Sequence, residues 1–224
     1  VDFDEGQVWL HELNLDAEKA RKVKKIIITA CGTAAHAGMV GKILLERIAR
    51  VPTEVAIASE FRYADPLVDE DTVVLAISQS GETADTLAAM EEGRRKGAML
   101  WSIVNAIGSQ AMRVADGCIP MQVGPEIGVA STKAFTAPLI DLYLLAVHLA
   151  DLRGAIDETE RFSLVNDLVG IPALVGECLD READVLRVAR KFKRMKHMLY
   201  LGRGINMPIA YEGALKLKEI SYIH

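Results

Sequence analysis

Two groups of polar residues have the types and spacing needed to bind and transform a small phosphorylated molecule. The first is Ser78-Gln79-Ser80-Gly81-Glu82-Thr83, which lies between a short β-branched run, Thr72 to Ile77, and a helical pattern, Ala84 to Lys96. The free N–H groups and positive dipole end of a helix N-terminus attract anions, and the hydroxyls add donors without adding charge. This hinge therefore predicts a site for a phosphate or a sugar phosphate.

A simpler interpretation of the same segment is that Ser80 and Thr83 only cap the helix. Four polar side chains at the end of a buried strand exceed what a cap requires, and ligands of parallel sheets bind at the carboxyl ends of strands. The segment has no Gly-Lys-Ser/Thr of a Walker loop and no G-x-G-x-x-G fingerprint, so a nucleotide is not the expected ligand.

The second group is Glu212, Lys216 and Glu219, which share one face of a predicted helix from Ile209 to Tyr222. Composition alone favours an ion-pair ladder on the protein surface. A carboxylate beside a lysine is also what proton transfer next to a carbonyl requires, with the carboxylate as the base and the ammonium stabilising the oxyanion.

Two further segments carry small or hydroxyl residues at predicted element ends. Ser131, in the stretch Ile127 to Phe135, is placed to cap a long helix, and Gly128 and Ala130 would let a ligand approach the backbone. Thr33 follows a predicted strand, Lys25 to Ala30. We expect one pocket to be formed by the hydroxyls of Thr33, Ser78, Ser80, Thr83 and Ser131.

The elements that must position these residues alternate between strand and helix. The predicted strands are Lys25–Ala30, Glu54–Ala58, Thr72–Ile77, Ala98–Val104 and Cys118–Met121. Helical patterns separate them, and a long helix over 132–152 follows. This alternation predicts an α/β fold with three layers, in which helices flank a parallel, flavodoxin-like sheet.

The chain becomes helical after Gly154, and a second strand–glycine–helix pattern follows. The stretch Met198–Gly204 and its helix align without gaps on the stretch Ile26–Gly32 and its helix. The alignment predicts a duplicated fold whose second copy is truncated, so Val1 and His224 are expected to be cut or unobserved ends. The predicted organisation is a lead-in (1–24), a first domain (25–153), and connecting helices with the start of a second domain (154–224).

Bulk properties exclude several classes of protein. The net charge of −5 argues against nucleic-acid binding, and the three cysteines and five histidines form no metal-binding spacing. No metal or cofactor is predicted. The apolar stretch Ala137 to Ala150 is interrupted by charge, so no membrane span is expected, and unpaired cysteines favour a reducing cytoplasm.

Five segments resemble the isomerase half of the glutamine–fructose-6-phosphate aminotransferase family, which consists of two sugar isomerase (SIS) domains in tandem. The segments are ACGT at Ala30–Thr33, ASEFRY at Ala58–Tyr63, SQSGETADTL at Ser78–Leu87, EIGVASTKAFT at Glu126–Thr136 and EGALKLKEISYIH at Glu212–His224. Together they cover nearly the whole chain.

The resemblance implies roles for individual residues. Fructose 6-phosphate or glucosamine 6-phosphate would be held by the substrate-binding residues Thr33, Ser78, Gln79, Ser80, Thr83, Val129, Ala130 and Ser131. Within that set, Ser78, Ser80 and Thr83 would contact the phosphate, and Val129 and Ala130 would contribute backbone contacts. Glu219 would shuttle the proton between C1 and C2, with Lys216 assisting.

The resemblance also implies departures and missing parts. The family often has serine where this chain has Ala34, so one hydrogen bond to the ligand is expected to be absent or replaced by water. The glutaminase domain would lie before Val1, and the ring-opening histidine and Schiff-base lysine after His224. The chain alone would then release no ammonia and complete no isomerisation. A homodimer is implied.

Two other functions fit the same residues. One is a fructosamine-phosphate deglycase built on the same domain without a glutaminase. The other is a regulatory module that binds a sugar phosphate without catalysis, in which Glu219 would be an ordinary surface residue.

Overall fold

The structure, a computed structural model, describes residues 1–224 and contains one five-stranded parallel sheet. Its strands are β1 (Lys25–Ala30), β2 (Thr53–Ile57), β3 (Thr72–Ser78), β4 (Met99–Val104) and β5 (Gly117–Pro120). They lie side by side in the order β2-β1-β3-β4-β5, and every neighbouring pair is parallel. The predicted α/β, flavodoxin-like sheet is therefore confirmed.

Ten α-helices accompany the sheet. They are α1 (Ala17–Lys22), α2 (Gly32–Leu44), α3 (Ala58–Phe61), α4 (Ala84–Arg95), α5 (Gln110–Val114), α6 (Lys133–Arg153), α7 (Glu158–Asp167), α8 (Ile171–Leu179), α9 (Glu182–Phe192) and α10 (Asn206–Ser221). A π-helical turn, Leu45–Ala49, extends α2, and a 3₁₀ turn, Leu168–Gly170, joins α7 to α8.

The core has two halves because alternate strand residues point to opposite faces of the sheet. Ile26 and Ile28 pack on one face with Leu142 and Leu145 of α6. Ile27 packs on the other face in the cluster that includes Val74, Leu100 and Met90 of α4. Both faces of the central strands are buried, which explains their continuous apolar sequences.

From β1 the chain adds β2 on one side of the sheet, and β3, β4 and β5 follow on the other side. In open parallel sheets, ligands bind at the point where the order changes side, which here lies between β1 and β3. The chain leaves β1 toward α2 and leaves β3 toward α4, so the loops after these two neighbouring strands diverge and open a crevice. Thr33 lies in the first turn of α2, and Ser78 is the last residue of β3. The topology thus brings together residues that lie 45 positions apart in the sequence.

One carboxylate is buried in the helix α6. Asp141 of α6 is 8% exposed, and its Oδ2 has no hydrogen-bond partner. Burial raises the pKa of Asp141 from 3.8 to about 7.

The helices after Gly154 are much less buried than the sheet region. The helix α7 docks on α6, where the Tyr143 hydroxyl donates to the Leu164 carbonyl oxygen (2.8 Å), but α8 and α9 contain no buried residue. The helix α10 returns to contact α2.

The strand predicted over 198–201 does not form. Leu199 and Leu201 are almost fully exposed, and no neighbouring strand is present to satisfy their backbone groups. The helix that follows is present as α10. The predicted duplication and domain boundaries stay predictions.

Two helical stretches reach the length and hydropathy of a membrane span, although no span was predicted: Lys133–Arg153 and Glu158–Leu179. The first is α6, half of which is buried against the sheet region, as in the core helix of a soluble protein. The second is mostly exposed and is interrupted by the 3₁₀ turn. Length and composition alone are weak evidence for a membrane span.

Candidate functional site

A cavity of about 230 Å³ opens at the carboxyl ends of β1 and β3. Six of the predicted substrate-binding residues line it: Thr33, Ser78, Gln79, Ser80, Thr83 and Ser131. Cys31, Ala34, Ile77, Thr86 and Ala134 complete its wall. The cavity is smaller than the range of about 300–1,000 Å³ that is usual for drug-sized ligands, and its hydroxyl-rich wall suits a small polar molecule.

We call the segment Ser78–Thr83 the hydroxyl loop. Its hydroxyls do not cap the helix α4. The Ser78 Oγ accepts from the Gly81 N–H (3.0 Å) and lies 3.2 Å from the Thr83 Oγ1, while the Ser80 Oγ accepts from the Glu82 N–H. No side chain caps α4. The N–H groups of its first turn therefore stay available to an anion, as the phosphate interpretation requires.

The backbone of the hydroxyl loop is fixed by its neighbours. The Gln79 carbonyl oxygen accepts from the N–H groups of Asn105 and Ala106, and the Gly81 carbonyl oxygen accepts from the Ala111 N–H. Gly81 has a φ of +64°, and a Cβ at this position would lie 2.1 Å from the Ser109 Oγ. Only glycine fits this turn without a rearrangement.

Ser131 reaches the cavity from the loop between β5 and α6. Its φ of +57° is unusual for a non-glycine residue, and it does not cap α6 as the sequence suggested. Glu126 replaces it: the Glu126 Oε2 accepts from the Ala134 N–H (3.0 Å), which lowers the pKa of Glu126. The predicted cap is wrong because the left-handed backbone at Ser131 is incompatible with the extended conformation usual for an N-cap.

Val129 and Ala130, from the same loop, do not line the cavity. The Val129 side chain is 94% exposed, and Ala130 is partly exposed. Their predicted backbone contacts with a sugar stay a prediction.

The two predicted catalytic residues lie beside the cavity. The Lys216 Nζ donates to the Thr33 Oγ1 (2.9 Å) and to the Glu219 Oε2 (2.6 Å), and Thr33 is part of the cavity wall. Glu219 is about one-third exposed. Lys216 thus contacts the cavity wall and Glu219 is paired with Lys216. A carboxylate and an ammonium in this arrangement can act as a base and as an oxyanion stabiliser.

Glu212, the third member of this helix face, is not part of a surface ladder. It is 5% exposed and points into the contact between α10 and α2. Its Oε1 accepts from the Thr33 hydroxyl (3.0 Å), and its Oε2 lies 2.8 Å from the His36 Nδ1. The ladder interpretation is wrong for Glu212 because the helix packs this residue against another helix.

Sequence reasoning missed His36. The available signal was its position three residues after Thr33, which places both side chains on the same face of α2. Nothing in the sequence indicated that Glu212, 176 positions later, would meet that face.

No cluster of three or more His, Cys, Asp or Glu side chains that could hold a metal ion occurs in the structure. The cavity wall also contains no charged side chain. Anion binding here would therefore depend on N–H groups, hydroxyls and the nearby Lys216.

Residues 19–148 match the sequence model of the SIS domain. Three similar curated relatives are glutamine–fructose-6-phosphate aminotransferases (isomerizing). The protein from Clostridium tetani is 46% identical over 97% of this chain, that from Bacteroides thetaiotaomicron 52% over 92%, and that from Thermus thermophilus 50% over 99%. The aligned region is 34–36% of each relative, so the chain spans about a third of their length.

A solved structure supports the same relationship. The C-terminal domain of glucosamine-fructose-6-phosphate aminotransferase from Francisella tularensis superposes with a TM-score of 0.94 at 40% identity, covering 98% of this chain and 61% of that one. The SIS model matches more than half of this chain, and the observed sheet agrees with the structure of a relative that also matches in sequence. The chain therefore belongs to the SIS-domain family.

Proposed function

We propose that this chain is the sugar-phosphate-isomerising part of a glutamine–fructose-6-phosphate aminotransferase, an enzyme that makes glucosamine 6-phosphate from fructose 6-phosphate and ammonia derived from glutamine. The observation that carries the proposal is the contact of Lys216 with both Thr33 and Glu219. It connects the candidate base to the wall of the hydroxyl-rich cavity.

The proposed roles follow from the positions of the groups. The phosphate would lie at the N-terminus of α4, where uncapped N–H groups and the hydroxyls of Ser78, Ser80 and Thr83 are available. Ammonia would replace the C2 carbonyl oxygen of the sugar, which leaves as water. The Glu219 carboxylate would then take a proton from C1 of the resulting imine and return it to C2, while the proton of the C1 hydroxyl passes to the nitrogen. The Lys216 ammonium would stabilise the negative charge that develops between these steps.

The proposal also covers the rest of the polypeptide, its domain boundaries, its oligomeric state and its location. The relatives are about three times longer than the matched region, which supports a glutaminase domain elsewhere in the polypeptide as the source of ammonia. The first SIS domain is proposed to span 25–153, with the start of a second within 154–224. A homodimer and a cytoplasmic location complete the proposal.

The deglycase and the non-catalytic sensor are tested by the same measurements. The first experiment is the thermal stability of the chain with fructose 6-phosphate, with inorganic phosphate and glucose 1-phosphate as controls. A ligand at about one hundred times its dissociation constant raises the free energy of unfolding by roughly 2.7 kcal/mol. A rise that is smaller in Ser80→Ala supports the sugar-phosphate site.

Measurements of turnover then distinguish the aminotransferase from the deglycase and the non-catalytic sensor. The polypeptide encoded by the complete gene is assayed for glucosamine 6-phosphate formation from fructose 6-phosphate and glutamine, and for amine release from a fructosamine phosphate. Formation of glucosamine 6-phosphate supports the proposal, and amine release alone supports the deglycase. Binding without either turnover supports the sensor.

A further inference from the structure

Glu212 is a carboxylate residue that is buried where α10 packs on α2. A buried carboxylate is unfavourable unless its oxygens are hydrogen-bonded or paired with charge. Glu212 meets this requirement with the Thr33 hydroxyl on Oε1 and the His36 ring on Oε2, and the Lys216 Nζ lies 3.5 Å from Oε1. The proposed function gives this group no role.

The chemistry of these groups fixes the direction of each hydrogen bond. An ionised carboxylate only accepts, so the single hydroxyl proton of Thr33 points to Glu212. The Thr33 Oγ1 then accepts from the Lys216 ammonium, which only donates. For the same reason the His36 Nδ1 must carry a proton toward Glu212.

The contacts form one continuous path from α2 to the candidate base. It runs from His36 to Glu212, on to Thr33 and Lys216, and ends at Glu219 with a distance of 2.6 Å between the Lys216 Nζ and the Glu219 Oε2. His36 and Lys216 have only 18% and 21% of their side chains exposed, so water competes weakly for these bonds. The His36 ring is also held against the Tyr211 ring, with centroids 5.9 Å apart.

We propose that His36 and Glu212 are positioning residues that orient the Thr33 hydroxyl and hold the Lys216 ammonium beside Glu219. This inference rests on the proposed function, because the geometry it maintains is that of the proton transfer. Neither residue lines the cavity, so both act through Thr33 and Lys216.

The same hydrogen bonds determine whether Thr33 can donate a hydrogen bond to a ligand or accept one from it. Its proton is committed to Glu212, so Thr33 can accept a hydrogen bond from a sugar hydroxyl but cannot donate one to a phosphate oxygen. The inference therefore assigns Thr33 to the sugar and leaves the phosphate to the hydroxyl loop and the α4 N-terminus.

The test uses matched variants of the polypeptide encoded by the complete gene. His36→Asn keeps an N–H donor near the position of Nδ1, whereas His36→Leu has similar bulk and no donor. We expect His36→Leu and Glu212→Gln to lower kcat on the order of 10- to 100-fold, because small misplacements of catalytic groups have effects of this size. KM for fructose 6-phosphate should change much less, and His36→Asn should recover most of the lost rate.

The outcomes separate this inference from the proposed function. A wild-type protein that does not act on fructose 6-phosphate overturns the proposed function and the inference with it. An active wild type together with wild-type kcat in folded His36→Leu overturns the inference alone, since His36 would then serve only to hold α10 on α2.

A second measurement applies even where a variant fails to fold. The ¹⁵N spectrum of the histidine rings in the unmodified protein reports which ring nitrogen of His36 carries a proton. We expect a protonated Nδ1. A bare Nδ1 would overturn the inference, because that nitrogen could not donate to Glu212.

Discussion

The hydroxyl loop lines the cavity directly, whereas the acid–base cluster of Glu212, Lys216 and Glu219 meets the cavity wall at Thr33. The hydroxyl loop continues directly from β3, and backbone bonds from the turn after β4 and from α5 fix two of its carbonyl oxygens. These main-chain bonds hold the loop from outside it, and Ser80→Ala removes only one of its internal contacts, the bond from the Glu82 N–H.

The acid–base cluster lies on α10, which is outside the sheet. The chain before α10 is largely exposed from 171 to 201, and the cluster meets α2 through the bonds of Glu212 with Thr33 and His36 and the bond of Lys216 with Thr33. The proposed binding part of the site is therefore held by the fold of the sheet region, whereas the proposed catalytic part is held by a few side chains. Substitutions should therefore have larger effects in the cluster.

The largest effect is expected from removing the base. Glu219→Gln should lower the turnover of fructose 6-phosphate by about 10²- to 10⁴-fold, the usual contribution of a general base, while binding changes little. Turnover and ligand-dependent thermal stability are both measured on the polypeptide encoded by the complete gene, with and without the substitution. Glu182→Gln, an exposed carboxylate on α9, is the control. Turnover that survives in Glu219→Gln would rule out this base.

The next effect concerns stability. Glu212→Ala leaves His36 and Thr33 without their acceptor, and leaving a buried polar group unsatisfied costs about 1–3 kcal/mol. Glu219→Ala removes a partly exposed ion pair and should cost about 0–1 kcal/mol. Urea unfolding and hydrogen exchange of α10 compare the two variants. Equal effects would show that the buried position of Glu212 has no energetic importance.

A third effect concerns α6, which packs on α2 and on one face of the sheet. The pKa of Asp141 is about 7 in the folded chain and near 3.8 when unfolded, so the folded state binds this proton more tightly. The resulting stabilisation is fully present below about pH 3.8 and is lost as the pH rises through about 7. Asp141→Asn should lose this part of the pH dependence of unfolding.

The control for this variant is Asp180→Asn, at an exposed position, which should keep the wild-type pH profile. The comparison uses the shape of the curve rather than the absolute free energy, since an asparagine amide is also buried without a partner. An unchanged profile in Asp141→Asn would mean that Asp141 keeps an ordinary pKa.

The smallest effect is expected in the hydroxyl loop. Ser80→Ala should weaken the binding of fructose 6-phosphate by about 0.5–1.5 kcal/mol, the net value of one hydrogen bond. It should change the stability of the unliganded chain little, because the bond that it loses there, from the Glu82 N–H to the Ser80 Oγ, is exposed. Calorimetric titration measures the affinity, with Ser163→Ala on α7 as the control. A loss as large as that in the cluster variants would contradict the contrast between the two regions.

The sequence was sufficient to predict those parts of the molecule that depend on local patterns of residues. The strands appear where β-branched apolar runs lie between turn residues, because strands buried on both faces need such runs. The convergence of Thr33 and Ser78 could also be predicted, since parallel strands end at one edge of a sheet. The strand predicted over 198–201 failed because a strand requires a neighbour, and its own sequence cannot supply one.

By itself, then, the sequence determined the α/β class, the order of the elements and the chemical types gathered at the cavity. Tertiary structure alone decided that Glu212 is buried, that His36 and Thr33 are its partners, and that Ser131 takes a left-handed backbone in place of a cap. The physical reason is that periodicity reports which face of an element is apolar. The partner of a polar side chain depends on contacts between residues far apart in the chain, and only the folded protein establishes them.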